Sequence, residues 1–122
     1  LAPVVEMPHL FWGRPEQADG LCKAVGRPSC NVVCDMCQLT RTQGHFIPTM
    51  DLVYDEMGYF QIGDNPHRNE PGTGEMNYKN MFKHIYGKGY KGILGMEHGT
   101  AGKGKEGELA LIKAYREADG FM

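Results

Sequence analysis

Short apolar runs alternate with helical segments along the chain, and this alternation limits the possible fold more than any other feature of the sequence. The apolar runs are typical of strands and cover residues 29–35, 58–64 and 91–98. Apolar side chains recur at helical spacing over residues 15–25, 46–57, 77–86 and 108–118. Because strands that alternate with helices of this length form parallel βαβ units, the sequence predicts an α/β fold with a parallel sheet.

Length and composition argue against several classes of protein. A chain of 122 residues with 41% hydrophobic residues is expected to form a modest globular domain rather than a disordered segment. Its formal net charge of −2 offers no basic surface, so we predict neither a nucleic-acid partner nor a membrane partner. No apolar run approaches the roughly 20 residues that span a bilayer. Four unevenly spaced cysteines do not resemble a secreted disulfide framework, and we predict a cytoplasmic location.

Polar residues stand at or near the carboxyl ends of the predicted strands. These residues are Asp35, Gln61, Asp64 and Glu97. In a parallel α/β fold the carboxyl ends of the strands and the loops that follow them meet on one side, where ligands bind. We therefore expect a shared site, with the alternative that Asp35 and Asp64 begin loops or cap turns, as aspartates often do.

Three cysteines, Cys30, Cys34 and Cys37, have the spacing C-x-x-x-C-x-x-C, with which radical enzymes hold a [4Fe–4S] cluster. The residues between Cys30 and Cys34 are typical of a strand, in which four residues separate two α-carbons by about 13 Å. That distance is too large for two ligands of one cluster, so we interpret these cysteines as small apolar core residues. The stretch GTGE, residues 72–75, loosely resembles a glycine-rich S-adenosylmethionine-binding element, which keeps the cluster as an alternative.

Residues 102–107, GKGKEG, fit the dinucleotide-binding pattern G-x-G-x-x-G between a predicted strand and a predicted helix. A dinucleotide site also requires an acidic residue about 20 positions later, at the end of a second strand. The sequence offers no such strand. We therefore predict an ordinary loop, with the option of an anion contact at the start of the following helix.

One long stretch, residues 58–99, carries a specific signature. It reads GYFQIGDNPHRNEPGTGEMNYKNMFKHIYGKGYKGILGMEHG and resembles the C-terminal part of the hydroxypyruvate isomerase family, within the xylose isomerase-like TIM barrels. The resemblance extends back through residues 21–30 and forward to residues 104–119. It implies a partial TIM (β/α)8 barrel of about three C-terminal βα units, with residues 1–122 as part of a single domain. Because so few units cannot close a barrel, the missing units are expected from the rest of a longer chain.

The same resemblance implies a metal site. The family binds one divalent metal, and three of its ligands correspond to Asp35, Gln61 and Glu97 in this sequence. Oxygen ligands of this kind favour Mg²⁺ or Mn²⁺. Glu97 would also transfer the proton in the reaction, and Arg68 would bind the substrate carboxylate through its planar guanidinium group.

Two positions depart from the family pattern. Gln38 stands where the family usually has a substrate-binding histidine, and it can hydrogen-bond a hydroxyl group but cannot shuttle a proton. The family also has a glutamate ligand on an earlier strand. Glu6 follows two valines, but an ungapped match places that glutamate before Leu1, so we predict that Glu6 is a loop residue.

The activity that the resemblance implies is a metal-dependent interconversion of hydroxypyruvate and tartronate semialdehyde, by proton transfer through an enediolate. The substrate would thus be a small 2-hydroxy carbonyl compound. Two alternatives stay open. One is a sugar (ketose) epimerase of the same superfamily, and the other is a catalytically inactive barrel relic, which Gln38 and the missing glutamate would suit.

Overall fold

The computed structural model describes residue 9 and residues 11–121. The helices are α1 (Pro15–Val25), α2 (Met36–Gln43), α3 (Phe46–Leu52), α4 (Tyr78–Gly87) and α5 (Gly104–Asp119). The strands are β1 (Val32–Asp35), β2 (Met57–Ile62) and β3 (Leu94–Met96), and a 3₁₀ turn, Tyr54–Glu56, precedes β2. The chain divides into two compact units. Among the described residues, those up to 61 together with residues 92–95 form the first unit, and residues 62–91 together with those from 96 onward form the second.

The strands form one sheet in the order β1, β2, β3. β1 and β2 run parallel, and their register pairs Cys34 with Phe60 and Asp35 with Gln61. Each strand is followed by at least one helix, so the predicted α/β fold with a parallel sheet is confirmed. The strands are shorter than predicted. Residues 29–31 precede β1, and a turn over residues 27–30 is closed by the Cys30 N–H, which donates to the Arg27 carbonyl over 2.9 Å.

The two faces of the β1–β2 pair differ in burial. Cys34 and Phe60 are fully buried, whereas Val33 is 47% exposed and Tyr59 is 37% exposed. Successive side chains of a strand point to opposite faces, so Cys34 and Phe60 belong to the face that packs into the core of the first unit. Asp35 and Gln61 follow them and therefore belong to the face that carries Val33 and Tyr59.

Helix α1 has the bounds that its sequence predicts. Pro15 occupies its first position, where the missing N–H costs no hydrogen bond, and Gly26 ends it with a left-handed φ of +60°. The predicted apolar face is only partly right. Cys22 is buried, but Leu21 and Val25 are 48% and 47% exposed, because the helix contacts its own unit through the side that carries Cys22.

The segment between β1 and β2 differs most from the prediction. Helix α2 was not predicted, because its buried residues are crowded into its first turn rather than spread at helical intervals; they are Met36, Cys37 and Leu39. The helix predicted over residues 46–57 ends at Leu52, and the 3₁₀ turn replaces its last turn. Met57, predicted as the last residue of the helical face, instead begins β2.

In the second unit, helices α4 and α5 pack against each other. The buried residues of α4 follow the helical spacing predicted over residues 77–86: Tyr78, Met81, Phe82 and Ile85. Asn77 caps this helix by accepting the Asn80 N–H over 3.1 Å. Helix α5 begins at Gly104, earlier than predicted. Within the described residues, no helix combines the length and the apolar character that crossing a membrane requires.

The glycines of GKGKEG serve a packing purpose. A Cβ atom built on Gly107 would lie 2.4 Å from the carbonyl carbon of Gly102, a distance that side chains do not tolerate. Gly102 and Gly107 thus let the chain cross closely over the start of α5. This contact accounts for the two glycines by packing. The prediction of a loop over residues 102–107 is only partly right, because α5 already begins at Gly104.

Candidate functional site

Asp35 and Gln61 are register partners at the ends of two parallel strands of the first unit. The backbones of neighbouring strands lie about 4.8 Å apart, and register partners direct their side chains to the same face of the sheet. Asp35 is 7% exposed, and Gln61 is half-buried. The structure therefore brings together two of the predicted metal ligands, one carboxylate and one amide.

Asp35 also begins helix α2, which is the alternative that the sequence left open. Its Oδ1 atom accepts the backbone N–H of Gln38 over 3.1 Å, the contact of a helix N-cap. The cap fixes the orientation of the Asp35 carboxylate, so a role in capping and a role in binding are compatible. The cap also explains why a helix follows β1 directly.

Gln38, the predicted substrate-binding residue of the first unit, lies in the first turn of α2. Its side chain is half-buried, and its Oε1 atom is buried with no hydrogen-bond partner among the described residues. A buried polar atom without a partner is costly, and such atoms are rare outside functional sites. This amide group is thus available to a ligand.

In the second unit, Arg68 and Glu97 form an ion pair through Nη2 and Oε2. Two backbone hydrogen bonds align the segments that carry them. The Glu97 N–H donates to the Ile62 carbonyl over 3.0 Å, and the Gly99 N–H donates to the Arg68 carbonyl over 2.9 Å. Arg68 has a left-handed φ of +53°. The predicted substrate-binding residue and the predicted catalytic residue are therefore in direct contact.

Asp64 shapes the loop that carries Arg68. Its carboxylate is 1% exposed and accepts backbone N–H groups of Gly72 over 2.9 Å and of Gly74 and Met76 over 3.0 Å. A Cβ atom at Gly74 would lie 1.6 Å from the Asn65 carbonyl oxygen, so this position requires glycine. The glycine-rich stretch GTGE thus surrounds a carboxylate of the chain itself, which accounts for its glycines without S-adenosylmethionine.

Further contacts involve the segment between β3 and α5. The Glu70 carboxylate, 3% exposed, accepts the Ala101 N–H over 2.9 Å. His98 contacts the Tyr115 hydroxyl through Nε2 over 2.6 Å, and the two rings stack. Burial, with the nearby Glu70 carboxylate, raises the pKa of Tyr115. No motif in the sequence indicates the contact of Tyr115 with His98, since Tyr115 is one residue of the long helix α5.

The structure does not gather the cysteines into a cluster. Across residue 9 and residues 11–121, no three His, Cys, Asp or Glu side chains lie close enough to hold a metal ion. Cys34 and Cys37 are fully buried in the first unit, whereas Cys30 lies beside Cys22. The alternative of a [4Fe–4S] cluster held by Cys30, Cys34 and Cys37 is therefore wrong.

The predicted metal site differs from a cysteine cluster in its ligands, because one of them is the Gln61 amide. Asp35, Gln61 and Glu97 supply only oxygen ligands, which suit a hard divalent cation such as Mg²⁺ or Mn²⁺. Asp35 and Gln61 are adjacent in the first unit, and Glu97 follows β3 in the second. Glu6, predicted as a loop residue, lies outside the described residues.

Comparison with known proteins gives the family. The xylose isomerase-like TIM barrel family matches residues 4–118, which is nearly the whole chain. The chain belongs to this family. The expected fold class, a partial (β/α)8 barrel, is thereby confirmed. The region that carries Arg68, Glu97 and the Asp64 loop falls inside the match.

Two isomerases are among the curated relatives of this xylose isomerase-like chain. It is 42% identical over 93 residues to a hydroxypyruvate isomerase of Escherichia coli (strain K12), an alignment that covers 76% of this chain and 36% of the relative. It is 29% identical over 110 residues to a 2-oxo-tetronate isomerase of Cupriavidus necator, which covers 90% of this chain and 42% of the relative. The chain thus spans less than half the length of either relative.

Solved structures show the same barrel. A family 2 AP endonuclease of Brucella melitensis superposes with a TM-score of 0.83 at 28% identity, over 92% of this chain and 43% of that structure. A 3-keto-D-glucoside 4-epimerase of E. coli gives a TM-score of 0.74 at 16% identity, over 87% of this chain and 39% of that structure. At 16% identity the second likeness shows the fold alone.

Proposed function

We propose that the protein to which this chain belongs is a metal-dependent isomerase that interconverts hydroxypyruvate and tartronate semialdehyde. The observation that carries the proposal is the contact between Arg68 and Glu97, in a chain 42% identical to a hydroxypyruvate isomerase. A cation for the substrate carboxylate and a carboxylate for proton transfer are the two groups that this reaction requires.

The chemistry assigns a task to each residue. Hydroxypyruvate becomes tartronate semialdehyde when the hydroxyl proton of its hydroxymethyl group passes to the carbonyl oxygen and a proton moves from the hydroxymethyl carbon to the neighbouring carbon, through an enediolate. Glu97 takes and returns this proton. Arg68 holds the substrate carboxylate through two parallel hydrogen bonds, and so fixes the distance between Glu97 and the reacting carbon. The buried oxygen of the Gln38 amide has no hydrogen-bond partner among the described residues. It accepts a hydrogen bond from a substrate hydroxyl group.

The proposed metal ligands are Asp35, Gln61 and Glu97. When bound, a Mg²⁺ or Mn²⁺ ion would polarise the carbonyl and hydroxyl oxygens of the substrate and stabilise the negative charge of the enediolate. The N-cap contact holds the Asp35 carboxylate in one orientation without the ion. The chain therefore supplies part of the site in advance.

The Arg68–Glu97 ion pair must open for both residues to act as proposed. While it is closed, Arg68 neutralises the carboxylate that is to accept the proton. A substrate carboxylate can draw Arg68 away from Glu97, because it replaces one ion pair by another, which a neutral ligand does not. We therefore expect that 2-oxo acids are favoured over neutral sugars of the same size.

The test is an assay of the full-length protein with hydroxypyruvate and added Mg²⁺ or Mn²⁺, before and after treatment with a chelator. Glu97→Gln should lower kcat by about 100-fold or more, because a general base of this kind contributes at least that factor. Arg68→Lys should instead raise KM by about 10-fold, because lysine cannot bind a carboxylate through two parallel hydrogen bonds. Glu75→Gln is the matched control, since Glu75 is exposed in the same loop, and should leave both constants unchanged. Absence of turnover with either metal would favour the inactive relic.

A second candidate substrate is 2-oxo-tetronate, the substrate in the name of the C. necator relative. It carries the same carboxylate and carbonyl as hydroxypyruvate with one more carbon, so Arg68 and Glu97 would serve both compounds. The ratio of kcat/KM for the two substrates decides between them. An epimerase would instead invert a sugar carbon, and its product would be seen with a ketose and not with hydroxypyruvate.

A further inference from the structure

The Sγ atoms of Cys22 and Cys30 lie 3.7 Å apart in the first unit, and both are free thiols. A disulfide requires about 2.0 Å between its sulfur atoms, so a shift of less than 2 Å joins them. Neither residue belongs to the proposed active site. We propose that Cys22 and Cys30 form a redox modification site, in which a small-molecule disulfide such as oxidised glutathione converts the two thiols into an intramolecular disulfide.

The backbone holds this cysteine pair together. Cys22 lies in the last turn of α1, and its carbonyl accepts the Gly26 N–H over 2.9 Å. Gly26 has a left-handed φ of +60°, which reverses the chain beyond the helix. The Cys30 N–H then donates to the Arg27 carbonyl over 2.9 Å. A helix cap and a turn of the backbone thus hold the two thiols close together, so their proximity does not depend on side-chain rotation alone.

The two thiols differ in access, and this difference sets the order of events. Cys30 is half-buried, whereas Cys22 is 5% exposed. The Cys30 thiolate attacks one sulfur of oxidised glutathione, which forms a mixed disulfide and releases one molecule of glutathione. The Cys22 thiolate then attacks the Cys30 sulfur and releases the second. Two protein thiols are oxidised, one glutathione disulfide is reduced to two thiols, and the two protons pass to the released glutathione.

The environment of Cys22 controls the second step. Burial and the hydrogen bond with Cys30 raise the pKa of the Cys22 thiol. A smaller fraction of Cys22 is therefore the reactive thiolate at neutral pH, so closure of the disulfide becomes faster as the pH rises. We expect the mixed disulfide to disappear faster as the pH rises.

The other two cysteines provide the contrast within the same unit. Cys34 and Cys37 are fully buried, so they have no access to glutathione in the folded chain. Burial raises the pKa of Cys34 to about 12, which further lowers its reactivity. Oxidation should therefore be confined to Cys22 and Cys30.

The experiment treats the full-length folded protein with oxidised glutathione, blocks the remaining thiols and maps the peptides by mass spectrometry. We expect that two of the four thiols in this chain are lost and that a peptide containing residue 22 is linked to one containing residue 30. A reducing agent should restore both thiols. Glutathione that stays on Cys30 without a link at any pH, or a link that involves Cys34 or Cys37, would overturn the proposal.

Variants separate the two steps. Cys22→Ser should stop at the mixed disulfide and keep one glutathione on Cys30, whereas Cys30→Ser should abolish both steps. Cys34→Ala is the matched control and should still form the Cys22–Cys30 link. The wild-type measurement decides the question by itself if a variant does not fold. Hydroxypyruvate turnover is not used as a readout, so failure of this proposal and failure of the proposed function are distinguishable.

Discussion

At the scale of single residues, Asp64 shows how a buried charge can be stabilised by the backbone alone. Its carboxylate receives three N–H groups from its own loop, and hydrogen bonds to a charged acceptor are about twice as strong as neutral ones. The loop that holds Arg68 is therefore shaped around this residue. The sequence had left open whether Asp64 belongs to a site or to a turn, and the structure assigns it to the turn.

We predict that Asp64→Ala lowers the free energy of unfolding by about 3 kcal/mol, because three backbone N–H groups lose a charged, buried acceptor. Urea unfolding, followed by circular dichroism, measures this loss. Glu75→Ala in the same loop changes an exposed side chain and should stay within about 0.5 kcal/mol of the wild type. Equal losses for the two variants would show that Asp64 does not organise the loop.

Cys34 makes the stability of the folded chain depend on pH in the alkaline range. Burial, with a smaller effect of the Asp35 carboxylate, raises the pKa of this thiol from 9.0 to about 12. The unfolded chain therefore loses the proton at a lower pH than the folded chain. Stability from this group is complete below pH 9 and is lost as the pH rises toward 12.

We predict that the free energy of unfolding falls by up to about 1.4 kcal/mol for each pH unit above 9 through Cys34. Urea titrations on either side of pH 9 measure the slope. Cys34→Ala removes the titrating group and should make the slope shallower, although the variant itself is less stable because of the cavity. An unchanged slope would assign the alkaline dependence to other groups.

At the scale of secondary structure, helix α1 illustrates how far local sequence determines an element. Both of its ends follow from Pro15 and Gly26, and the prediction of its bounds is confirmed. Helix α3 was predicted too long, because Val53 and Met57 fit a helical face although they are buried by other elements. Tertiary packing, which the sequence does not display, decided where that helix ends.

We predict opposite effects for alanine at two glycines of this region. Gly26→Ala forces a side chain into the left-handed conformation and should cost about 1–2 kcal/mol. Gly20 lies inside α1 with no atom within 4 Å of a built Cβ, so Gly20→Ala should gain about 0.5–1 kcal/mol. Thermal unfolding of the two variants tests the sign of each change. A destabilising Gly20→Ala would contradict the description of α1.

The candidate site was predictable only in part, for reasons that lie in long-range geometry. Strand periodicity and the βα alternation were enough to expect polar residues at neighbouring strand ends, and Asp35 and Gln61 are indeed register partners. Their role as metal ligands stays a prediction. The Arg68–Glu97 ion pair joins residues 29 positions apart, and no local pattern indicates it. The Cys22–Cys30 pair was not predicted, because Cys22 lies outside the spacing C-x-x-x-C-x-x-C, although Gly26 indicates the chain reversal between the two cysteines.

At the scale of the whole molecule, the sheet has a consequence for association. Within the described part of the chain, β1 and β3 each pair with β2 alone. Apolar side chains accompany these strands, with Val33 47%, Ile93 77% and Met96 63% exposed. Strands that present unpaired backbone and apolar side chains readily add another strand.

We predict that a polypeptide of these 122 residues alone associates with itself in a concentration-dependent way. Sedimentation velocity over a range of concentrations measures this. Met96→Lys places a charge at the edge strand and should reduce association, whereas Leu109→Lys changes an equally exposed residue of α5 and should not. A polypeptide that stays monomeric at all concentrations would show that these strand edges do not bind a second copy of the chain.

The Asp64 loop also affects which substrates the proposed active site can bind. Successive N–H groups of a glycine-rich loop form a concave anion receptor, which many proteins use to hold a phosphate group. Here Asp64 supplies that anion from within the polypeptide, next to the arginine proposed to meet the incoming acid. The Asp64 carboxylate occupies this receptor, and its negative charge would repel the phosphate group of a phosphorylated sugar. The proposed isomerase should thus discriminate against phosphate esters in favour of free acids.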